Sequence, residues 1–176
     1  MFKQFFSHMI VYNVVKKIIE MKISKKFEPL INGLAAGFVI AILALLTFES
    51  PFGVWIMFSF GSSALIVFVF YDSEFAQPRN IFFGHLLAIC VGILVNSLLG
   101  VSFFSLGLSV ALSVTLMIYF KIIHPPAAAN PLIAIFADVS YDFILFPVIA
   151  GSIILILLSI LINKFLFKRK YPKRFI

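Results

Sequence analysis

The sequence predicts an all-α polytopic membrane protein, and three observations support this fold class. Of the 176 residues, 62% are hydrophobic and 12% are charged, with a mean hydropathy of +1.14, whereas soluble domains carry about 25% charged residues. The apolar residues fall into long runs separated by short polar stretches, and lysine and arginine gather in two tails that flank those runs. Because a spanning helix needs about 20 residues, one transmembrane domain at residues 29–165 accounts for most of the chain and leaves no room for a soluble catalytic domain.

The first 28 residues are predicted to form an amphipathic helix on the cytoplasmic membrane surface. Lys16, Lys17 and Glu20 fall on one face of such a helix, whereas Ile10 and Val14 fall on another. A helix with one cationic and one apolar face is typical of the membrane interface. The alternative is an ordinary soluble extension.

The transmembrane domain divides into apolar segments that are predicted as helices. The second contains a Gly/Ser break, and the fifth is short and opens with two prolines. In order, they are Leu30–Phe48, Phe52–Tyr71, Ile81–Leu99, Phe103–Phe120, Pro125–Ala137 and Phe143–Phe165.

These six segments resemble two copies of a three-segment unit, each with a long helix, an interrupted segment and another long helix. A unit with three crossings inverts its neighbour, and inverted repeats with interrupted segments at matching positions are typical of transporters. Six crossings would place Arg79 and Lys121 on the cytoplasmic side with the other basic residues. If segments two and five are instead re-entrant, four crossings remain and both residues lie outside.

The distribution of basic residues predicts the orientation and some partners. Under the positive-inside rule, both termini are cytoplasmic in a multi-pass protein of the cell membrane. The tail at residues 166–176 and the lysine-rich N-terminal stretch would favour anionic lipid head groups. Nucleic-acid binding is the competing interpretation of basic tails, but the apolar composition argues against it.

The segment KIIHPPAAANP at Lys121–Pro131 is the strongest candidate for a functional site. Proline fixes its own φ and disfavours helix in the residue before it, so a helix should start at Pro125 or Pro126, with His124 just outside. Small side chains would leave the first amides of that helix approachable, and a helix N-terminus with free N–H groups suits an anion. The residues predicted to bind the anion at this break are His124, Pro125, Pro126, Ala127, Ala128 and Asn130.

The other break supplies a matching set of residues. Gly61 permits a turn, and Ser62 and Ser63 can cap a new helix start. Two helix starts pointing at a shared midplane would form a small cavity of positive potential that suits a monovalent anion. The competing interpretations are a proline kink, close helix packing through small residues and an interfacial histidine.

Other chemical constellations are absent from the sequence. It has no Gly-rich phosphate loop, no metal-ligand spacing and no nucleophile with a matching base. We therefore expect neither an enzyme nor a cofactor or metal site.

Three ordered blocks resemble the HPP family of integral membrane proteins. HPPAAANPLIAI at His124–Ile135 is similar to the family's H-P-P-A-G-A signature, FGSSALIVF at Phe60–Phe68 to its F-G-A-S-A-V-L-L-F block, and AQPRN with GHLL at Ala76–Leu87 to its A-Q-P-R-N and G-H-L-L block. Carried over by motif, the resemblance adds Gln77, Pro78, Arg79, Asn80 and His85 to the first signature's His-Pro-Pro.

The resemblance implies a fold and a function. The family is described as having four transmembrane helices, which four full spans and two short broken segments would satisfy. Plant plastid members are associated with nitrite transport. This chain departs at Ala128, where the family has glycine, and at Asn130-Pro131.

The sequence thus predicts a small-anion transporter or channel, with nitrite the first candidate. Arg79 would attract or stabilise the anion, Asn80 and His85 would line its path, and His124 would donate a hydrogen bond or couple a proton. A chain of this size favours a homodimer or larger homo-oligomer. The alternative is a non-transporting membrane subunit or scaffold that acts through helix packing.

Overall fold

The computed structural model describes residues 25–173, and within that range the chain is helical with no strand. This confirms the all-α fold class. The short Asn130–Phe136 helix follows a 3-10 turn at Pro125–Ala129, and the last helix has π-type ends. The helices are α1 Glu28–Glu49, α2 Ser59–Val69, α3 Pro78–Leu99, α4 Phe103–Tyr119, α5 Asn130–Phe136 and α6 Ile144–Leu166.

Three of these helices, α1, α3 and α6, are long and apolar enough to cross a membrane. Helix α2, helix α4 and the combined Pro125–Phe136 segment are shorter apolar helices. The six predicted segments therefore all contain helix, but length and composition identify only half of them as full spans.

The second segment is helical over less of its length than predicted. Residues 50–58 are not helical, and α2 begins at Ser59 rather than near Phe52. Pro51 lacks an amide donor, and Gly53 has φ +122°, which a residue with a Cβ rarely adopts. With 11 residues, α2 is about 16 Å long, roughly half the hydrocarbon thickness.

Successive segments alternate in direction. The start of α3 meets the end of α4, where Arg79 donates to the carbonyls of Phe120 and Lys121. Segment 125–136 runs parallel to α3, because a Cβ at Gly84 would meet His124 and a Cβ at Gly92 would meet Pro131. At the far end of α3, the Asn96 side-chain amide donates a hydrogen bond to Asp138, which follows segment 125–136.

Both ends of the described chain lie at the same end of the bundle, which we call the tail end. The Arg169 guanidinium donates to Glu28 at the start of α1 and to the Phe68 carbonyl at the end of α2. The Lys173 ammonium pairs with Asp72 at 3.0 Å. Because successive segments alternate in direction, the second three-segment unit starts at the opposite end of the bundle from the first and runs inverted relative to it. This arrangement fits an inverted repeat, which stays a prediction.

Within the predicted basic tail at residues 166–176, residues 168–173 fold back on the bundle. The Tyr171 hydroxyl donates to the Ala76 carbonyl at 2.7 Å, and the Lys173 amide donates to Gln77 Oε1 at 2.8 Å. Burial raises the pKa of the Tyr171 phenol, so the phenol keeps its proton and its hydrogen bond.

The predicted amphipathic helix falls mostly on residues 1–24, outside the described residues. Residues 25–27 form a turn, and Glu28 already belongs to α1.

Candidate functional site

The two interrupted segments meet inside the bundle. Ser63 of α2 places its hydroxyl 2.8 Å from His124 Nε2, and Ser59 donates to Asn130 Oδ1 at 2.8 Å. His85 of α3 lies between them, with Nε2 2.8 Å from the Ser63 hydroxyl and Nδ1 3.0 Å from the Asn130 amide nitrogen. These five side chains form one hydrogen-bonded cluster, which we call the polar network.

The two helix starts lie side by side rather than end to end. The first residue of α2, Ser59, contacts Asn130, which is six positions past His124, and the fifth, Ser63, contacts His124 itself. The segments therefore overlap antiparallel, and their dipole ends do not point at a common space. The imidazole of His85 occupies the position where the sequence predicts an anion cavity.

Backbone carbonyls fix the orientation of the network because they can only accept hydrogen bonds. His124 Nδ1 lies 2.7 Å from the Phe75 carbonyl and must carry a proton there. The Asn130 amide nitrogen donates to the His85 carbonyl at 3.1 Å, which identifies that atom as nitrogen. Its second N–H then points at His85 Nδ1, so this ring nitrogen is an acceptor.

These assignments leave one arrangement of protons for neutral imidazoles. His85 carries its proton on Nε2 and donates it to the Ser63 hydroxyl oxygen. The single proton of the hydroxyl has two acceptors within reach, His124 Nε2 at 2.8 Å and the Ser59 carbonyl at 3.1 Å. When the hydroxyl donates to His124 Nε2, every hydrogen bond from Asn130 to Phe75 points the same way.

The network is buried and fills the space between the breaks. Ser63, His85, His124 and Asn130 are fully buried, and Ser59 is nearly so. The two imidazoles meet edge to face at 4.8 Å between ring centroids. Neutral rings suit this place, because an unpaired buried charge would cost far more than a buried hydrogen-bonded group.

Asn130→Ala should lower the free energy of unfolding in detergent by about 2–4 kcal/mol, since the Ser59 hydroxyl and His85 Nδ1 would remain buried without partners. Asn96→Ala, which removes a solvent-accessible bond to Asp138, should cost about 1 kcal/mol or less. Equal losses for the two variants would contradict the network. Thermal or chemical unfolding followed by circular dichroism measures both.

The remaining predicted residues of the breaks are spread over both faces of their segments. Gly61, Ser62 and Pro125 are exposed, Pro126 and Ala127 are buried, and Ala128 is half-buried. A Cβ at Gly61 would meet nothing within 4 Å. The Ala127 amide is not free, because it donates to the His124 carbonyl at 2.9 Å.

Arg79 and Asn80 lie nearer the tail end and hold the approach to His124. Asn80 donates to the Ile123 carbonyl at 3.1 Å, and Arg79 donates to the two carbonyls that follow the C-terminus of α4, those of Phe120 and Lys121. A cation at a helix C-terminus is favoured by the helix dipole. Both residues therefore position the turn that precedes His124.

A polar pocket of about 430 Å³ opens at the tail end, beside the outer end of the network. It adjoins the network through Glu74, the neighbour of Phe75, and through Asn80. Three cationic and two acidic side chains line it, so positive charge is in excess. Its lining residues are Asp72, Glu74, Gln77, Arg79, Asn80, Lys121 and Lys173.

Several contributors to the site were not among the residues predicted from the sequence. Ser59 stands four positions before Ser63, a spacing that places both hydroxyls on one helical face and that could have identified it. The Phe75 carbonyl and Lys173 gave no signal, because a backbone acceptor and a residue in a basic run look alike in any sequence. Among residues 25–173, no three His, Cys, Asp or Glu side chains cluster as metal ligands.

Comparison with known proteins decides the family. The transmembrane region of the HPP family matches residues 21–172. The chain belongs to the HPP family. The matched range includes all six helices and every residue of the polar network.

Two curated relatives come from Dictyostelium discoideum, and both are named only as transmembrane proteins. One is 35% identical over 122 residues, covering 65% of this chain and 43% of the relative. The other is 33% identical over 144 residues, covering 76% and 46%. The alignments thus span less than half the length of either relative. No solved structure matches this chain significantly.

Proposed function

We propose that this HPP-family protein is a small-anion transporter, with nitrite as the first candidate substrate. One observation carries the proposal: two interrupted segments meet at a buried network of histidine, serine and asparagine. Polar groups inside a membrane are costly and mark substrate or ion pathways. Interrupted helices in two repeated units are where secondary transporters bind substrate.

The charge around the network supports an anion. The tail-end pocket has more cationic than acidic side chains, which would concentrate small anions at its mouth. Deeper in, the Ser63 hydroxyl and the Asn130 amide offer neutral hydrogen-bond donors. Neutral donors hold an anion weakly enough to release it.

The filled network favours a carrier over an open pore. His85 and its partners occupy the space between the breaks in this conformation, so an anion can pass only after the segments separate. Rigid-body movement of one repeat against the other is the usual way in which such folds alternate access. We place the protein in the cell membrane as a homodimer or larger homo-oligomer, with both termini and their lipid-binding lysines on the cytoplasmic side.

The second candidate is a non-transporting membrane subunit or scaffold. The observation in its favour is the close packing of α3 on segment 125–136. At Gly84 and Gly92, the two backbones approach so closely that there is no room for a Cβ. A protein that acts only through helix packing would need such contacts and no conformational change.

Anion uptake into proteoliposomes tests the two candidates. We expect wild type to take up nitrite faster than empty liposomes, and His124→Ala to lose that uptake because the network loses its outer member. Nitrate, formate and chloride, measured in parallel, define selectivity. The control is Ser109→Ala, which removes a buried hydroxyl that bonds only within its own helix; it should transport as wild type does. Absence of uptake of all four anions by folded wild-type protein would favour the scaffold.

A further inference from the structure

The polar network is a chain of hydrogen bonds with a definite direction and two different ends. One end is the Asn130 amide, enclosed between α2, α3 and the segment that opens at Pro125. The other is His124 Nδ1 against the Phe75 carbonyl, beside the tail-end pocket. The connection between the imidazoles is a single hydroxyl, Ser63, at 2.8 Å from each Nε2.

We propose that this network is a proton relay, and that the transported anion belongs to a weak acid and crosses together with a proton. The inference rests on the transport function proposed above and deepens it. A dehydrated anion is costly inside a bundle of apolar helices, and a proton moving with it removes that cost. Anions of weak acids such as nitrite and formate would be substrates, whereas chloride and nitrate would not.

The relay step balances as a series of proton transfers. A proton that enters with the anion binds His85 Nδ1 as the Asn130 amide moves away, and His85 Nε2–H is broken as a new O–H bond forms on Ser63. The original Ser63 O–H is broken as His124 Nε2–H forms, and His124 Nδ1–H leaves the Phe75 carbonyl and gives its proton to water in the tail-end pocket. One proton enters and one leaves, and each imidazole ends as the opposite tautomer. Another proton can follow in the same direction only after both imidazoles have returned to their starting tautomers, which we place in the step where the segments separate.

The surroundings contain few other groups that could accept the proton. His85 and His124 face each other, and the helices packed around them, α2, α4, α5 and α6, bring no Asp or Glu to the network within the described range. Helix α3 brings one charged residue, Arg79, which points at the end of α4. The charges at the outer end are those of the pocket, with Glu74 next in sequence to Phe75 and Asp72, Lys121 and Lys173 around it. A proton that leaves His124 therefore meets ionisable side chains first in the tail-end pocket.

Coupled flux measurements test the relay. Proteoliposomes that contain a pH-sensitive dye are given an inward gradient of formate or nitrite, and anion uptake and internal acidification are recorded together. Empty liposomes, measured in parallel, correct for undissociated acid that crosses lipid unaided. We expect wild type to move one proton per anion and to give no uptake of chloride.

Ser63→Ala breaks the relay, because it removes the hydroxyl that joins the imidazoles. Since the same hydroxyl is one of the two proposed anion donors, proton movement is compared with anion uptake in the same vesicles. We expect proton movement to fall about 100-fold, within the range by which positioned proton-transfer groups accelerate reactions. Ser109→Ala should keep the wild-type proton-to-anion ratio. Thermal unfolding of each variant in detergent checks that it is folded.

The outcomes separate the two proposals. Wild-type anion uptake without acidification overturns the relay and leaves the transporter intact. Proton movement in folded Ser63→Ala within about twofold of wild type also overturns it. If no anion crosses at all, the proposed function fails, and the relay fails with it. Should Ser63→Ala not fold, the wild-type proton-to-anion ratio and the exclusion of chloride decide the question.

Discussion

Gly92→Ala should destabilise the protein by about 3 kcal/mol, near the upper end of what overpacking a core usually costs. A Cβ at this position would lie 2.6 Å from Pro131 Cα and 2.7 Å from Ala134 Cβ. The first of these is a backbone atom of a short, proline-bounded segment, so it cannot move aside as a side-chain end would. Because that segment also carries Asn130, separation from α3 would pull the polar network apart, and we expect anion uptake to fall as well.

Gly107→Ala is the matched control, since it is a helical glycine with nothing within 4 Å of an added Cβ. Its stability should be unchanged or higher by up to about 1 kcal/mol, the gain in helix propensity. The midpoint of thermal unfolding in one detergent compares the two. If Gly92→Ala is as stable as Gly107→Ala, the close contact between α3 and the His-Pro-Pro segment is contradicted.

Arg169→Ala should lower the free energy of unfolding by about 3–5 kcal/mol, because two acceptors inside the bundle would each lose a donor at about 1–3 kcal/mol and two ring contacts would be lost. The Arg169 side chain is only 10% exposed, and it stacks between the rings of Tyr71 and Phe167 at 4.4 and 4.1 Å. It donates to the Phe68 carbonyl at 2.7 Å and to Asn163 at 3.2 Å. Its loss would leave buried acceptors without donors and would release the C-terminal residues from the bundle.

Two variants show which property of Arg169 matters. Lys170→Ala removes a neighbouring exposed cation and should cost about 0.5 kcal/mol or less. Arg169→Lys keeps the charge but loses the planar fork that bonds several acceptors and stacks on rings, and we expect it to recover less than half of the lost stability. Full recovery by lysine would mean that net charge alone holds the C-terminal residues in place.

The sequence was most informative where backbone chemistry leaves little choice. The helical turn starts at Pro125, with His124 in extended conformation before it, because proline favours the first helical position and disfavours helix in the preceding residue. The bounds of α1, α3, α4 and α6 also lie within a few residues of the predicted segments, since polar loops interrupt long apolar runs at these points.

The start of α2 was harder to predict. Phe52–Tyr71 reads as one apolar run, and hydropathy alone does not distinguish an extended apolar stretch from a helix. The signal lay at the start of the run, in Pro51 just before it and Gly53 just inside it, rather than in Gly61, which lies within the first turn of the helix and has open space around it.

The polar network could be predicted in its parts but not as a unit. His85 and His124 were each candidates, yet 39 positions separate them, and only the parallel packing of segment 125–136 on α3 brings their rings together.

The role of Arg169 could not be predicted from the sequence for a similar reason. In a run of basic residues every cation resembles a lipid anchor, and only long-range packing selects one of them for burial.

The loop that precedes α3 is held from two sides at adjacent residues. Ala76 accepts a hydrogen bond from Tyr171, and Phe75 accepts one from His124. A label or fusion that displaces residues 171–173 would therefore loosen the Phe75 carbonyl, the acceptor that sets the tautomer of the buried His124. Fluorescent reporters and affinity tags for this protein belong elsewhere, such as the exposed turn around Gly100 at the opposite end of α3.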